Sequence, residues 1–217
     1  MYRSQGPCFA VLVLSTVLSS PAQAEQAITK VALHGTAMTT RHEGAPLHVA
    51  YLQDEPDMLQ DADVRLSEDG LTLGGGLSAS LMIDGTRIGL GITLFGLQDT
   101  SIVHSQLPDG YELQGGTIWG ETVDVRLGRE FRLGPLFPYL DLRLAFTIIA
   151  VNTGLRNDAQ GHLGTTSYNR MSVGLGPVVG FCLPLSDALY ADLSGYAGVI
   201  GDEKFGGTLG LGAWFEL

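Results

Sequence analysis

The sequence is poor in charge. Charged residues fill 16% of its 217 positions, below the roughly 25% usual for soluble domains. Cations are the scarcer kind, 12 Lys and Arg against 23 Asp and Glu, for a formal net charge of −11. That balance argues against nucleic acid or an anionic lipid surface as partner, since both are held by clustered Lys and Arg. Cysteine is almost missing: Cys8 falls in a segment that reads as an export signal, which leaves Cys182 alone in the mature chain. One thiol excludes an internal disulfide and a cysteine-based metal site. After Ala24 no apolar run reaches the twenty or so residues of a membrane-spanning helix.

Glycine is abundant, with 30 residues. The first stretch carries Arg3, then an apolar run from Phe9 to Leu18, then the small-x-small site Ala22-Gln23-Ala24. This is the layout of a secretory signal peptide, so residues 1–24 are expected to be removed and residues 25–217 to form one domain.

The mature chain alternates. "GLTLGGGLSASLMID" sets Leu71, Leu73, Leu77, Ala79, Leu81 and Ile83 on one face and Thr72, Gly74, Gly76, Ser78 and Ser80 on the other. "TRIGLGITLFG", "WGETVDVRLGREF", "LFPYLDLRLAFTI", "RMSVGLGPVVGFCL", "ALYADLSGYAGVI" and the closing "GGTLGLGAWFEL" repeat the pattern, and "AITKVALHGTAM" does so more weakly. Period two is the mark of a strand with unlike faces, and eight such segments can be counted. Polar stretches at about residues 40–69, 99–115 and 152–167 and a short link at Asp202-Glu203-Lys204 alternate with tight turns at Asp84-Gly85, Gly134-Pro135 and Pro184–Asp187. An up-and-down sheet puts alternate links at opposite ends, so one end carries loops and the other only turns.

Two architectures share this alternation. A soluble lipid-binding barrel points its apolar face inward; a membrane barrel points it at lipid and fills its interior with polar side chains. The non-apolar face decides. Water would select Lys, Glu and Gln there, but the face is mostly Gly, Ser and Thr with a few Arg and Asp. Small residues suit a narrow interior. Phe131, Phe181 and Phe215 fall on the apolar face near the turn end, Trp119 and Phe146 near the loop end, as expected of interfacial girdles.

The signal segment, the eight alternating segments and the last strand together resemble the small eight-stranded outer-membrane proteins, the class of the OmpA membrane domain and OmpX-like barrels. The resemblance implies an all-β, eight-stranded antiparallel up-and-down transmembrane β-barrel in the outer membrane of a Gram-negative bacterium, with both termini periplasmic. It further implies outer-membrane lipid and lipopolysaccharide as surroundings. Such chains often end on a signal read by the barrel-assembly machinery, for which Gly212, Phe215 and Leu217 stand in register; Gly210 departs from it at the polar position, and Leu217 replaces the usual Phe. The last strand is expected to close the sheet against the first.

On the inward face fall Lys30, Arg87, Asp124, Arg126, Asp141, Arg143, Arg170, Asp192 and Glu216. Unpaired charges in a confined space are costly, so these are expected to pair and plug the lumen; a narrow polar path is the alternative. Opposite charges favour a register with Asp124 facing Arg143 and Arg126 facing Asp141.

Chemistry is less evident. His104 and Ser105, with Glu121, are the candidates for a lipid-modifying site, but neighbours in a strand point to opposite faces and make a poor nucleophile–base pair. His34, His42, His48 and His162 show no metal-ligand spacing. Leu73-Gly74-Gly75-Gly76 lacks the helix and the Lys-Ser/Thr of a phosphate loop. The first long loop is rich in Asp and Glu; it could hold Ca²⁺ or bridge lipopolysaccharide phosphates through divalent cations, or use Leu52, Met58, Leu59, Val64 and Leu66 to anchor a protein, but it lacks the spacing of a calcium loop and reads first as a solvated acidic loop. The expectation is a non-enzymatic outer-membrane protein with a structural or surface-interaction role through its outer loops and no cofactor. A lipid-modifying enzyme and a narrow pore for a small solute are the alternatives, and the oligomeric state is left open.

Overall fold

The structure, a computed structural model, describes residues 27–40, 48–52, 63–66, 70–98, 102–105, 111–157, 161–201 and 203–216. The export segment 1–24, most of the acidic first loop and Leu217 lie outside the described residues. In chain order the strands are β1 (Ile28–Thr40), β2 (His48–Leu52), β3 (Asp63–Leu66), β4 (Gly70–Ile83), β5 (Thr86–Gln98), β6 (Ile102–Ser105), β7 (Tyr111–Glu130), β8 (Phe137–Asn157), β9 (Gly161–Pro184), β10 (Leu189–Ala197) and β11 (Glu203–Glu216).

Eight of them close into an antiparallel barrel in the order β1, β4, β5, β7, β8, β9, β10, β11, with β11 returning to β1 from Ile28↔Glu216 to Thr40↔Glu203. Alternation decides the facing. Leu33, Leu77, Leu94, Leu127, Val179 and Leu211 are among the large apolar residues left exposed on the outside, while Asp124, Thr122, Tyr139 and Cys182 are fully buried within. Phe131, Phe181, Phe215, Trp119 and Phe146 are all exposed on the outer face. An exterior of Leu, Ile, Val and Phe is stable in lipid rather than water, and the chain is built as a transmembrane barrel.

The barrel is taller on one side. β7, β8 and β9 run for 20, 21 and 24 residues, whereas β10 has 9. A membrane strand needs about 9–11 residues, so these three strands stand well clear of the bilayer at the loop end. Where the sequence reads loops at 99–115 and 152–167, β7 begins at Tyr111 and β8 and β9 run on as a hairpin to Asn157 and Gly161. The first loop contributes β2, which pairs with β9 from His48↔Asn169 to Leu52↔Thr166, above the point where β10 has ended. β3 and β6 form a separate two-stranded sheet joining the first and second loops.

One expectation fails here. β7 and β8 pair with Arg126 opposite Arg143, Asp124 opposite Ala145 and Gly128 opposite Asp141, two places from the register that charge pairing favours. The turn sets this. Leu133 and Leu136 bridge around Gly134-Pro135, Gly134 has φ +60°, and every pair above follows from that two-residue link. Loop length and turn type fix a hairpin's register, and the positive φ at Gly134 suits a glycine where a residue with a side chain would be strained.

Steric fit within the wall agrees with that register. Gly91 lies opposite Asp124, Gly89 opposite Arg126, Gly176 opposite Arg143, Gly180 opposite Tyr139 and Gly212 opposite Tyr190. A Cβ at Gly91 would come within 2.7 Å of the Asp124 carboxylate, and one at Gly180 within 2.5 Å of the Tyr139 ring. Asp124, Tyr139 and Tyr190 thus each lean over a glycine on the next strand.

Candidate functional site: the filled lumen

The interior is layered from the turn end to the loop end. At the bottom, Lys30 of β1 donates to both carboxylate oxygens of Glu130 of β7, at 2.6 and 2.7 Å. Its ammonium lies 5.4 Å from the Phe137 ring centre and 5.6 Å from those of Tyr190 and Trp214. Trp214 stacks on Tyr190 at 5.6 Å and meets Phe137 edge-on at 5.9 Å. Three rings and one carboxylate enclose the cation, an arrangement that compensates its lost hydration.

Above this cage, Tyr139 donates its hydroxyl to Asp192 at 3.0 Å, and the Cys182 thiol donates to the same carboxylate at 3.2 Å. The Arg87 guanidinium lies over the Tyr139 ring, 3.7 Å from its centre. Arg87 Nε is 3.6 Å from Asp141 Oδ2. That spacing is an ion pair without a direct hydrogen bond.

The middle layer joins β7, β8 and β11 by ion pairs and hydrogen bonds, with β1, β5 and β10 contributing His34, Thr93 and Tyr196. Asp124 accepts from Arg126 Nε at 2.6 Å and from its Nη2 at 3.3 Å, and lies 3.5 Å from Arg143 Nε. One carboxylate thus sits between the two guanidiniums that the register sets opposite each other, which is how the structure tolerates the pairing. Arg143 turns its Nη1 to Glu203 and stacks on Tyr196, 4.5 Å from the ring centre. Glu203 also accepts from Thr147 at 3.1 Å and Thr122 at 3.3 Å, which are themselves hydrogen-bonded at 2.8 Å. His34 Nε2 meets Thr93 Oγ1 at 3.1 Å. A cavity of about 10 Å³ lies among Thr36, Thr93, Thr122, Arg126 and Thr208, room for a single water.

The loop end of the lumen is apolar. Met38, Phe95, Ile118, Ile149, Val151 and Tyr168 pack as one buried cluster, with Leu97 and Tyr196 against it. These six inward residues lie above the charged layers.

Of the residues the sequence assigns to a lumen network, Lys30, Arg87, Asp124, Arg126, Asp141, Arg143 and Asp192 lie within these layers. Two do not. Arg170 is half-buried on β9 opposite Ile149, level with the apolar cluster, and Glu216 is exposed at the turn-end rim, where the last pair of β1 and β11 lies. Glu130 and Glu203 were not among the expected residues. Glu130 continues the inward parity of Asp124 and Arg126, so alternation carried two steps past Arg126, through Gly128, finds it. Glu203 had no such signal, because it sits where the sequence reads a short polar link. β10 stops early, Gly198 and Gly201 reshape that link, and Glu203 is turned inside.

Of the assembly positions, Gly212 faces the Tyr190 ring and Phe215 is exposed to lipid. His104 and Ser105 are consecutive in β6, paired with Val64 and Asp63. Among the described residues no cluster of His, Cys, Asp or Glu is arranged to hold a metal ion.

No protein family and no curated protein matches the chain by sequence. Solved structures do match. OprG, an outer membrane protein of Pseudomonas aeruginosa, is 12% identical with a TM-score of 0.50, covering 88% of this chain and 98% of its own. Neisserial surface protein A is 16% identical with a TM-score of 0.48 over 89% of this chain and 98% of its own. The attachment invasion locus protein of Yersinia pestis is 12% identical with a TM-score of 0.48 over 88% and 100%. The likeness to OprG is one of fold. The chain is built as a small eight-stranded outer-membrane β-barrel.

Proposed function

We propose that this protein is a closed, non-conducting barrel whose work is done at the cell surface by the structure standing above its loop end. The observation that carries this reading is the contrast between the two regions. The lumen is filled by ion pairs and then by an apolar cluster, which leaves little for a solute to pass through. The wall of β7, β8 and β9 continues beyond the membrane, joined by β2 from the first loop. A tall sheet of this kind offers a rigid platform for outer loops, and loops on a rigid scaffold are where binding groups are commonly carried. Lipopolysaccharide and other surface molecules are the partners within reach, and the barrel-assembly machinery is the partner expected for the last strand.

The test compares the full-length barrel with a variant in which β8 and β9 are joined just above Asn152 and Ser167 by an Asn-Gly turn. Those residues are paired and Ser167 donates to Asn152 at 2.7 Å, so the cut leaves a closed hairpin below it. Both proteins are expected to insert in the membrane. Only the full-length one is expected to restore the surface phenotype of cells lacking the gene. Restoration by the shortened barrel would contradict a role for the raised wall.

A further inference from the structure

The small cavity of the middle layer, about 10 Å³, is walled by hydrogen-bond donors. Its polar lining is four threonines, Thr36 of β1, Thr93 of β5, Thr122 of β7 and Thr208 of β11, with Arg126 and Arg143. No carboxylate lines it. Two of the donors are unspent. Thr36 Oγ1 is buried with no hydrogen-bond partner among the described residues, and Thr36 as a whole is 8% exposed. Arg143 Nε is buried as well; it lies 3.5 Å from Asp124 Oδ2, an ion pair without a hydrogen bond. A third donor can be freed. With the ring proton on Nε2, His34 donates to Thr93 across 3.1 Å, and the Thr93 hydroxyl is left to donate in turn. Thr122 and Thr208 are tied to other hydroxyls, Thr147 at 2.8 Å and Ser194 at 2.6 Å. A buried donor without an acceptor is costly, and here such donors converge on one space.

From this geometry we infer that the cavity is a binding site for one halide ion, chloride or bromide. Its size admits a water or a monatomic ion and no larger anion. A cation would need acceptors, but Asp124 and Glu203 are engaged by Arg126 and Arg143 and stand outside the lining. A water would bring two protons that themselves need acceptors. A halide brings none, accepts from every side, and makes charge-assisted bonds with hydroxyls and guanidiniums alike. Because the two carboxylates already answer the two guanidinium charges, the cavity offers donors rather than a net charge. That suits a halide, whose loss of hydration is smaller than that of a carboxylate or phosphate. The site is separate from the surface role of the outer loops, and an ion held there does not cross the closed lumen.

The experiment refolds the full-length barrel in detergent micelles at constant ionic strength, with bromide replacing gluconate stepwise, and reads the urea midpoint of unfolding. The expected result is a midpoint that rises with bromide, as mass action requires of an ion that binds only the folded state. A general salt effect runs the other way, since bromide is the less strongly excluded of the two anions. Thr36→Val keeps the shape of the side chain and removes the unpartnered hydroxyl. It is expected to be at least as stable as the unmutated barrel in gluconate and to lose most of the bromide dependence. Crystals of the unmutated barrel grown in bromide are expected to show an anomalous scattering peak within hydrogen-bond reach of Thr36 Oγ1 and Arg143 Nε. A midpoint indifferent to bromide, an equal rise in Thr36→Val, or a cavity without an anomalous peak would overturn the halide site. Bromide current through the barrel in planar bilayers would overturn the closed lumen together with the site, whereas a non-conducting barrel indifferent to bromide would overturn the site alone.

Discussion

At the scale of single residues the lumen is a problem in desolvation. Lys30, Arg87, Arg126 and Arg143 are each over nine-tenths buried, and each is held by a carboxylate, an aromatic face or both. Breaking a buried pair costs about 3–5 kcal/mol because the remaining charge is left without compensation. Glu203→Gln is therefore expected to lower unfolding stability by several kcal/mol, read as a shift of the urea midpoint in detergent micelles. Glu216→Gln, at the exposed rim, is expected to stay within about 0.5 kcal/mol. Equal effects would mean that Glu203 does not anchor Arg143. The inward charges were legible because each stands at an even step along an alternating strand. Their partners were only partly so. Asp124 and Arg126 lie two apart on one strand, and cross-strand pairing of unlike charges does not foresee a carboxylate shared by guanidiniums that face each other.

Between elements, space is the controlling quantity. Large inward side chains are accommodated by glycines on the adjacent strand, so a strand fits only at the register that brings them together. Gly180→Val is expected to prevent the barrel from closing, since its Cβ would meet the Tyr139 ring at 2.5 Å. Adding Tyr139→Gly should restore folding in part, as measured by the heat-modifiable fraction. If the double variant folds no better than the single one, steric complementarity is not what Gly180 supplies. Phe215 allows a separate test of assembly. Phe215→Ser is expected to reduce the assembled protein in cells severalfold while leaving refolding into lipid vesicles nearly intact, because the side chain is exposed and packs no core. Parallel losses in both assays would make Phe215 a stability residue instead.

The same scale shows what sequence could and could not disclose. The eight barrel strands were legible because alternation persists wherever lipid lies on one side and a packed lumen on the other. The Asp84-Gly85 turn was legible too, and both of its residues have positive φ, 51° and 73°. The β7–β8 register could have been read from Gly134-Pro135 by counting outward from the turn, a stronger local constraint than charge. Above the membrane the alternation loses its cause, since both faces meet water or loops. There the upward extensions of β7, β8 and β9 read as polar loop.

For the whole molecule, an outside suited to lipid encloses an inside that is packed with side chains among the described residues. Ion pairs fill the lower and middle lumen, and the cluster around Phe95, Ile149 and Tyr168 caps them. Function is then expected at the surface, through the raised wall and its loops. The most direct test of this arrangement is single-channel recording of the refolded, heat-modifiable protein in planar bilayers. The account predicts a conductance at baseline under applied voltage, unchanged when the outer loops are shortened. Discrete openings in the intact protein would contradict it and would make the lumen charges the lining of a path.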